Sequence, residues 1–151
     1  MTLIELLVGL SIAAMLLTVG VPYFGDFMAN SRLREGGNTL LAETLFTQSE
    51  AIKRNGTVRL TVAGSSLRVT DFSTNVLGVV VREHRLADGL DAGTATINFG
   101  ARGTPLPFGT SVEVNLTKSG VTCSSEFRCP GLRIDGAGGV RLCSNKLSCA
   151  T

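Results

Sequence analysis

After Glu5 the chain carries no charge until Asp26, and the intervening run "LLVGLSIAAMLLTVGVPYFG" at 6–25 is apolar or neutral throughout. As a helix these 20 residues span roughly 30 Å, about the thickness of a bilayer core. A helix that is apolar on all sides is one that is buried or lies in lipid. From Phe27 to about Arg54 a helical period returns, with Leu33, Leu40, Leu41, Leu45 and Ile52 assigned to one face. Arg32, Arg34, Glu35, Glu43, Glu50 and Lys53 fall mostly elsewhere, which predicts an amphipathic helix laid against a domain. Gly36-Gly37 weakens its middle, and "RNG" at 54–56 ends it with Gly56 as the C-terminal cap.

Beyond that point the period changes to two. "TVRLTVAG" and "SLRVTDF" alternate around Gly64-Ser65-Ser66 and predict a hairpin. "VLGVVVREHRL" reads as a strand with a buried half at Val79–Val81. "TATINFGARGTPLPFG" gives a short strand and a Gly/Pro loop, and "SVEVNLT" alternates again. "GLRIDGAGGVRLC" predicts a closing hairpin around Gly136–Gly139. A long helix followed only by strands is an α+β arrangement, the helix packed against an antiparallel sheet. Pro22 removes a backbone donor and clashes with the preceding turn, so the helix is expected to be kinked or partly melted near it.

Composition sharpens this picture in two places. The final third, 100–151, holds six basic residues (Arg102, Lys118, Arg128, Arg133, Arg141, Lys146) against three acidic ones, a local charge of +3. All four cysteines lie there too, as "CSSEFRC" and "CSNKLSC". An even count in a Gly/Ser-rich tail favours disulfides and an oxidising compartment. Structural zinc uses closer C-x2-4-C spacing, and the lone histidine, His84, is distant. Of the three pairings open to Cys123, Cys129, Cys143 and Cys149, closure within each C-x5-C unit is preferred because each loop is short.

Glu5 is the residue that an ordinary anchor does not explain. A carboxylate in a membrane zone costs a few kcal/mol unless it is paired. A cleavable signal peptide would place Lys or Arg before the apolar run, and none stands there. "TLIELL" with Glu5, the apolar stretch and Pro22 resembles the N-terminus of a type IV pilin or a type II secretion pseudopilin. The resemblance implies cleavage by a prepilin peptidase just before Met1 and methylation of the new amine. It further implies that Glu5 neutralises the N-terminal amine of an adjacent subunit, and that the helix is melted over about Ala14–Val21 in assembled filaments. The family usually carries Phe where this chain has Met1. The order "INFGARGTP … VEVNLT … LRIDGAGGVRLC" is similar to the FimT/FimU and H-type pseudopilin branch over about Ile97–Cys143. Some FimT-like pilins bind DNA through a C-terminal G-R-x-R stretch. Here "GGVRLC" places Gly139 at the first arginine and keeps the second as Arg141, with Arg128, Arg133 and Lys146 as further candidate phosphate contacts.

No zinc-protease, phosphate-loop or nucleophile-elbow motif is present, and His84 stands among charges without catalytic partners, so an enzyme is not expected. No cofactor or metal is implied. The chain divides into a membrane anchor or filament-core helix at 1–25, an amphipathic helix at 26–54 and a β-rich head at 55–151. The expected function is a structural subunit of a type IV pilus-like filament, held in the bacterial inner membrane and then assembled at the cell surface through its N-terminal helix. Its expected partners are copies of itself or other pilins, the prepilin peptidase and the assembly platform. A DNA-binding minor pilin and a periplasmic secretion pseudopilin are the alternatives.

Overall fold

The computed structural model describes residues 2–149, without the side chains of 19–23. One helix, α1, runs Leu3–Lys53, 51 residues and roughly 75 Å. Strands follow as β1 (Val58–Ala63), β2 (Ser66–Asp71), β3 (Val79–Arg85), β4 (Leu90–Asp91), β5 (Thr94–Phe99) and β6 (Pro105–Leu106). Then come β7 (Val112–Asn115), β8 (Thr117–Lys118), β9 (Gly131–Ile134), β10 (Val140–Cys143) and a 3-10 turn at Lys146–Ser148. A five-stranded sheet has the order β3-β2-β1-β5-β6, a three-stranded sheet the order β10-β9-β7, and β4 pairs with β8. Every pairing is antiparallel. The first hairpin turns at Gly64, whose φ of +61° suits the first central position of a two-residue turn.

The second half of α1 packs on both larger sheets. Leu33, Leu40 and Ala51 meet a core of Val58, Leu60, Val62, Leu67, Val69, Ile97 and Phe99 from one sheet and Val114, Leu132 and Ile134 from the other. The face that α1 buries is the predicted one in part: Leu33 and Leu40 are buried and Leu41 packs against the core. Leu45 and Ile52 are 45% and 53% exposed, because at about 100° per residue both stand roughly a quarter to a third of a turn away from Leu33. The buried face follows Leu33, Gly36, Gly37, Leu40, Thr44, Thr47 and Ala51. The two glycines allow close approach rather than marking a weak point. A Cβ on Gly36 would lie 2.6 Å from Leu90 Cδ1, and one on Gly37 would lie 2.8 Å from Pro130 Cβ. Thr44 and Thr47 satisfy their buried hydroxyls within the helix, donating to the Leu40 and Glu43 carbonyls at 2.8 and 2.6 Å.

Ala14–Val21 is helical in the single chain; the melting that the resemblance implies belongs to assembled filaments. Two other expectations, at the end of the helix and on β3, need correction. Pro22 deprives only the Thr18 carbonyl of its donor, and the neighbouring ladder survives; a kink at the Pro22 ring lies outside the described residues. The helix is closed by Asn55, not Gly56. Asn55 adopts φ +49°, its N–H reaches the Ile52 carbonyl, and the Gly56 N–H reaches the Ala51 carbonyl, which together form a Schellman cap. Val79 and Val80 are exposed because β3 is an edge strand. From β3 it is Arg82 that reaches α1, with Nη1 at 3.2 Å from Glu43 Oε1 and its guanidinium over the Phe46 ring.

At the top of α1, Arg54 bridges two nearly buried carboxylates, Nε to Glu50 Oε2 at 2.7 Å and Nη1 to Asp71 Oδ2 at 2.8 Å. The Arg54 hydrogen bond, with Lys53 nearby, holds the Glu50 carboxyl below its ordinary range against the pull of burial. Hydrogen bonds from Ser73, then Arg54, do the same for Asp71. Both groups are depressed in the folded chain, so their stabilisation is complete above the unfolded carboxylate pKa of about 4 and is lost as pH falls below it. Arg54→Gln is expected to lower the melting temperature near neutral pH, with the gap to the parent narrowing as pH drops below about 4; thermal unfolding across that range checks this. A second expectation concerns the glycines. Gly37→Ala lowers stability although alanine favours a helix by about 1 kcal/mol, because the Pro130 ring cannot yield. Gly25→Ala, with nothing within 4 Å, is neutral or stabilising in the same assay.

Candidate functional site: the N-terminal helix and the C-terminal basic region

Two regions carry the residues singled out by sequence. In the first, Thr2 is the N-cap of α1 and the Glu5 carboxylate accepts a hydrogen bond from the Thr2 N–H at 3.4 Å, the back half of a capping box. The signal for this, Thr-x-x-Glu ahead of an apolar run, is legible in the sequence and supplies a local role for Glu5. Met1 lies outside the described residues, as does the Pro22 side chain. From residue 2 to 18 and from 24 to 28 every side chain on α1 is exposed, including Leu3, Ile4, Leu7, Leu10, Leu16 and Phe27. Burial against the head begins at Ala29. Among the described residues no helix is long and apolar enough to cross a membrane.

In the second region the cysteines form Cys123–Cys129 and Cys143–Cys149, with Cα separations of 5.5 and 5.6 Å. Loops this short gain about 2–3 kcal/mol each in the chain-entropy account. Two polar side chains on α1, unmarked by any sequence signal, tie this region down. Asn30 Nδ2 donates to the Glu126 carbonyl at 3.0 Å, and its Oδ1 accepts from the Arg128 N–H at 3.2 Å. Five helical turns higher, Gln48 Nε2 donates to the Gly103 and Gly138 carbonyls at 2.6 and 2.8 Å. Asn30 therefore holds the first disulfide loop, and Gln48 holds the β5–β6 loop and the β9–β10 turn. Between Asn30 and the two disulfide units lies an open cavity of about 600 Å³, lined by Arg34, Arg128, Glu126 and Leu142 among others.

The four basic candidates are not equivalent. Arg133 sits in the central strand of its sheet, flanked in register by Glu113 on β7 and Arg141 on β10. It is only 9% exposed. Its Nη1 donates to Asn115 Oδ1 at 2.9 Å and to the Leu132 carbonyl at 3.0 Å, and Nη2 lies 3.3 Å from Glu113 Oε2. Its charge is thus committed to the sheet instead of being offered to solvent, an outcome of register that spacing alone does not reveal. Arg141 is exposed and engaged within the chain. Arg128 is exposed beside the 600 Å³ cavity, and Lys146 is half-buried on the 3-10 turn. His84 is exposed on β3, and among the described residues no group of His, Cys, Asp or Glu could hold a metal.

No family model matches the chain, and no curated protein matches it by sequence. Its fold is similar to that of the type IV minor pilin FimU of Pseudomonas aeruginosa strain PAO1, solved in two crystal forms. In space group P65 the TM-score is 0.59 at 20% identity, covering 72% of this chain and 90% of FimU. In space group P21 the values are 0.61, 19%, 77% and 91%. The chain shares with FimU the type IV pilin fold, a long N-terminal helix packed on antiparallel sheets, and carries two disulfides.

Asn30→Ala is expected to release the first disulfide loop from α1. Two hydrogen bonds are lost, each with a net contribution of about 0.5–1.5 kcal/mol. Hydrogen exchange should quicken at the Arg128 amide, while amides of β1 and β2 stay protected.

Proposed function

We propose that the chain is a structural subunit of a type IV pilus-like filament, of the minor-pilin kind, assembled through the N-terminal part of α1. The observation that carries this reading is the division of a single helix. Its second half is packed against the head, while its first half is apolar and uncovered. In the FimU-like fold that arrangement suits a helix whose cover comes from lipid and then from the helices of other subunits. Residues 1–25 then act as anchor and filament-core helix, 26–54 link it to the head, and 55–151 form the outward β-domain. The subunit would be stored in the bacterial inner membrane and carried to the surface, with a prepilin peptidase acting before Met1 and the assembly platform as a further partner.

Glu5 has two roles under this proposal. In the single chain it caps the helix, and in the filament it pairs with the N-terminal amine of an adjacent subunit. Two variants separate them. Glu5→Gln keeps an acceptor suited to the capping box and removes the charge, whereas Glu5→Val removes both. Membrane association is expected to persist in both variants, because a costly charge has been replaced. Incorporation into filaments, measured in sheared surface fractions from cells lacking the parent subunit, is expected to fall sharply in both. Normal filament yield from Glu5→Gln would show that capping alone explains the residue.

A further inference from the structure

The inner residues of β1 and β2 are spent on the core, and the outer ones define a second surface. Arg59, Thr61, Arg68 and Thr70 project from the side of the five-stranded sheet turned away from α1, where a cavity of about 390 Å³ opens between them and Phe72 and Val80. Arg59 is held from two directions. Its Nε donates to Asn98 Oδ1 at 2.7 Å, across the register pair Arg59–Asn98 of β1 and β5. Its guanidinium carbon lies 4.3 Å from the Phe72 ring centroid. Among the described residues no hydrogen-bond acceptor meets its two Nη groups, so a preorganised fork stacked on Phe72 is left without an acceptor. The lining contains no Asp or Glu. The second cation, Arg68, has a single exposed contact, Nη2 to Glu83 Oε1 at 3.3 Å, and an exposed pair of that kind contributes little neutralisation.

We infer that this face binds a carboxylate-bearing sugar, with Arg59 as its anchor. The fork geometry of a guanidinium matches a planar carboxylate in a bidentate pair. The Thr61 and Thr70 hydroxyls supply the neutral donors and acceptors that ring hydroxyls require. Val80 and Leu77 supply apolar contact for the C–H face of a sugar ring. Single-stranded nucleic acid would need an open aromatic face for base stacking, and the only aromatic here is already covered by Arg59. The site lies opposite the helix face of the sheet, so it stays open whether or not α1 is covered by other subunits.

The probe is polygalacturonate, a polymer of uronic acid, immobilised and titrated with the detergent-solubilised full chain at low salt. Neutral dextran and duplex DNA serve as comparison ligands. Binding to polygalacturonate but not to dextran is expected, and DNA should bind more weakly. Arg59→Gln should weaken it about tenfold or more, the loss of one charge-assisted pair. Arg59→Lys, which keeps the charge and loses the fork, should not restore it. Thr70→Val gives a second reading that spares every charge and should weaken binding roughly threefold, a fraction of one neutral hydrogen bond. Arg85→Gln, a charge change on the neighbouring β3 outside the cavity, should leave binding unchanged. The inference is overturned if polygalacturonate does not bind, if Arg85→Gln matches Arg59→Gln, if Arg59→Lys binds like the parent, if DNA binds as well as the uronate, or if Thr70→Val has no effect.

Discussion

Residues 6–25 carry no charge, and the described side chains of the N-terminal half of α1 face solvent in the single chain. Burying a Leu or Ile side chain contributes about 1.5–3 kcal/mol, so a helix with this many uncovered apolar residues strongly favours association with lipid or with other helices. The head cannot supply that cover, because its sheets are committed to the second half of the same helix. The remainder of the structure follows from this division. One helix must be stable alone at its N-terminal end, where Thr2 and Glu5 cap it, and must also carry a folded head at its C-terminal end.

The head is attached by polar and small residues as much as by leucines. Gly36 and Gly37 let Leu90, Leu116 and Pro130 approach the helix axis. Asn30 and Gln48 fasten loops from the distant end of the chain, and Arg54 fixes the last turn to the end of β2. Asn30 and Gln48 pair with backbone groups of these loops, the Asn30 bonds exposed and the Gln48 bonds part-buried, each with a net contribution of about 0.5–1.5 kcal/mol. The short disulfide loops limit how far the C-terminal region can stray, and the Asn30 contact gives the first of them a fixed place on α1. The same economy applies to charge. Arg133 balances Glu113 inside its sheet, whereas Arg59 is positioned by a neutral amide and an aromatic ring and keeps its fork free.

Much of the architecture is legible in the sequence alone. A 20-residue uncharged run, a change of period from helical to two, and hairpin signals at Gly64 and Gly136–Gly139 lead to a long helix packed on antiparallel sheets. These features are local, because backbone propensity and side-chain alternation act over a few residues. The capping box at Thr2–Glu5 is equally local and equally readable in the sequence.

What the sequence could not decide is which side chains meet across the fold. Leu45 and Ile52 looked like core residues and are exposed, because glycines, threonines and a buried Glu43 occupy the contact face instead. Val79 and Val80 looked buried and lie on an edge. Arg133 looked available and is enclosed by the register of β7, β9 and β10. The physical reason is the same in each case. Chemical type and periodicity determine what a residue can do and which element it enters, but burial and pairing depend on contacts between residues far apart in the chain. Those contacts are selected by the packing of the whole head, and no short stretch of sequence contains them.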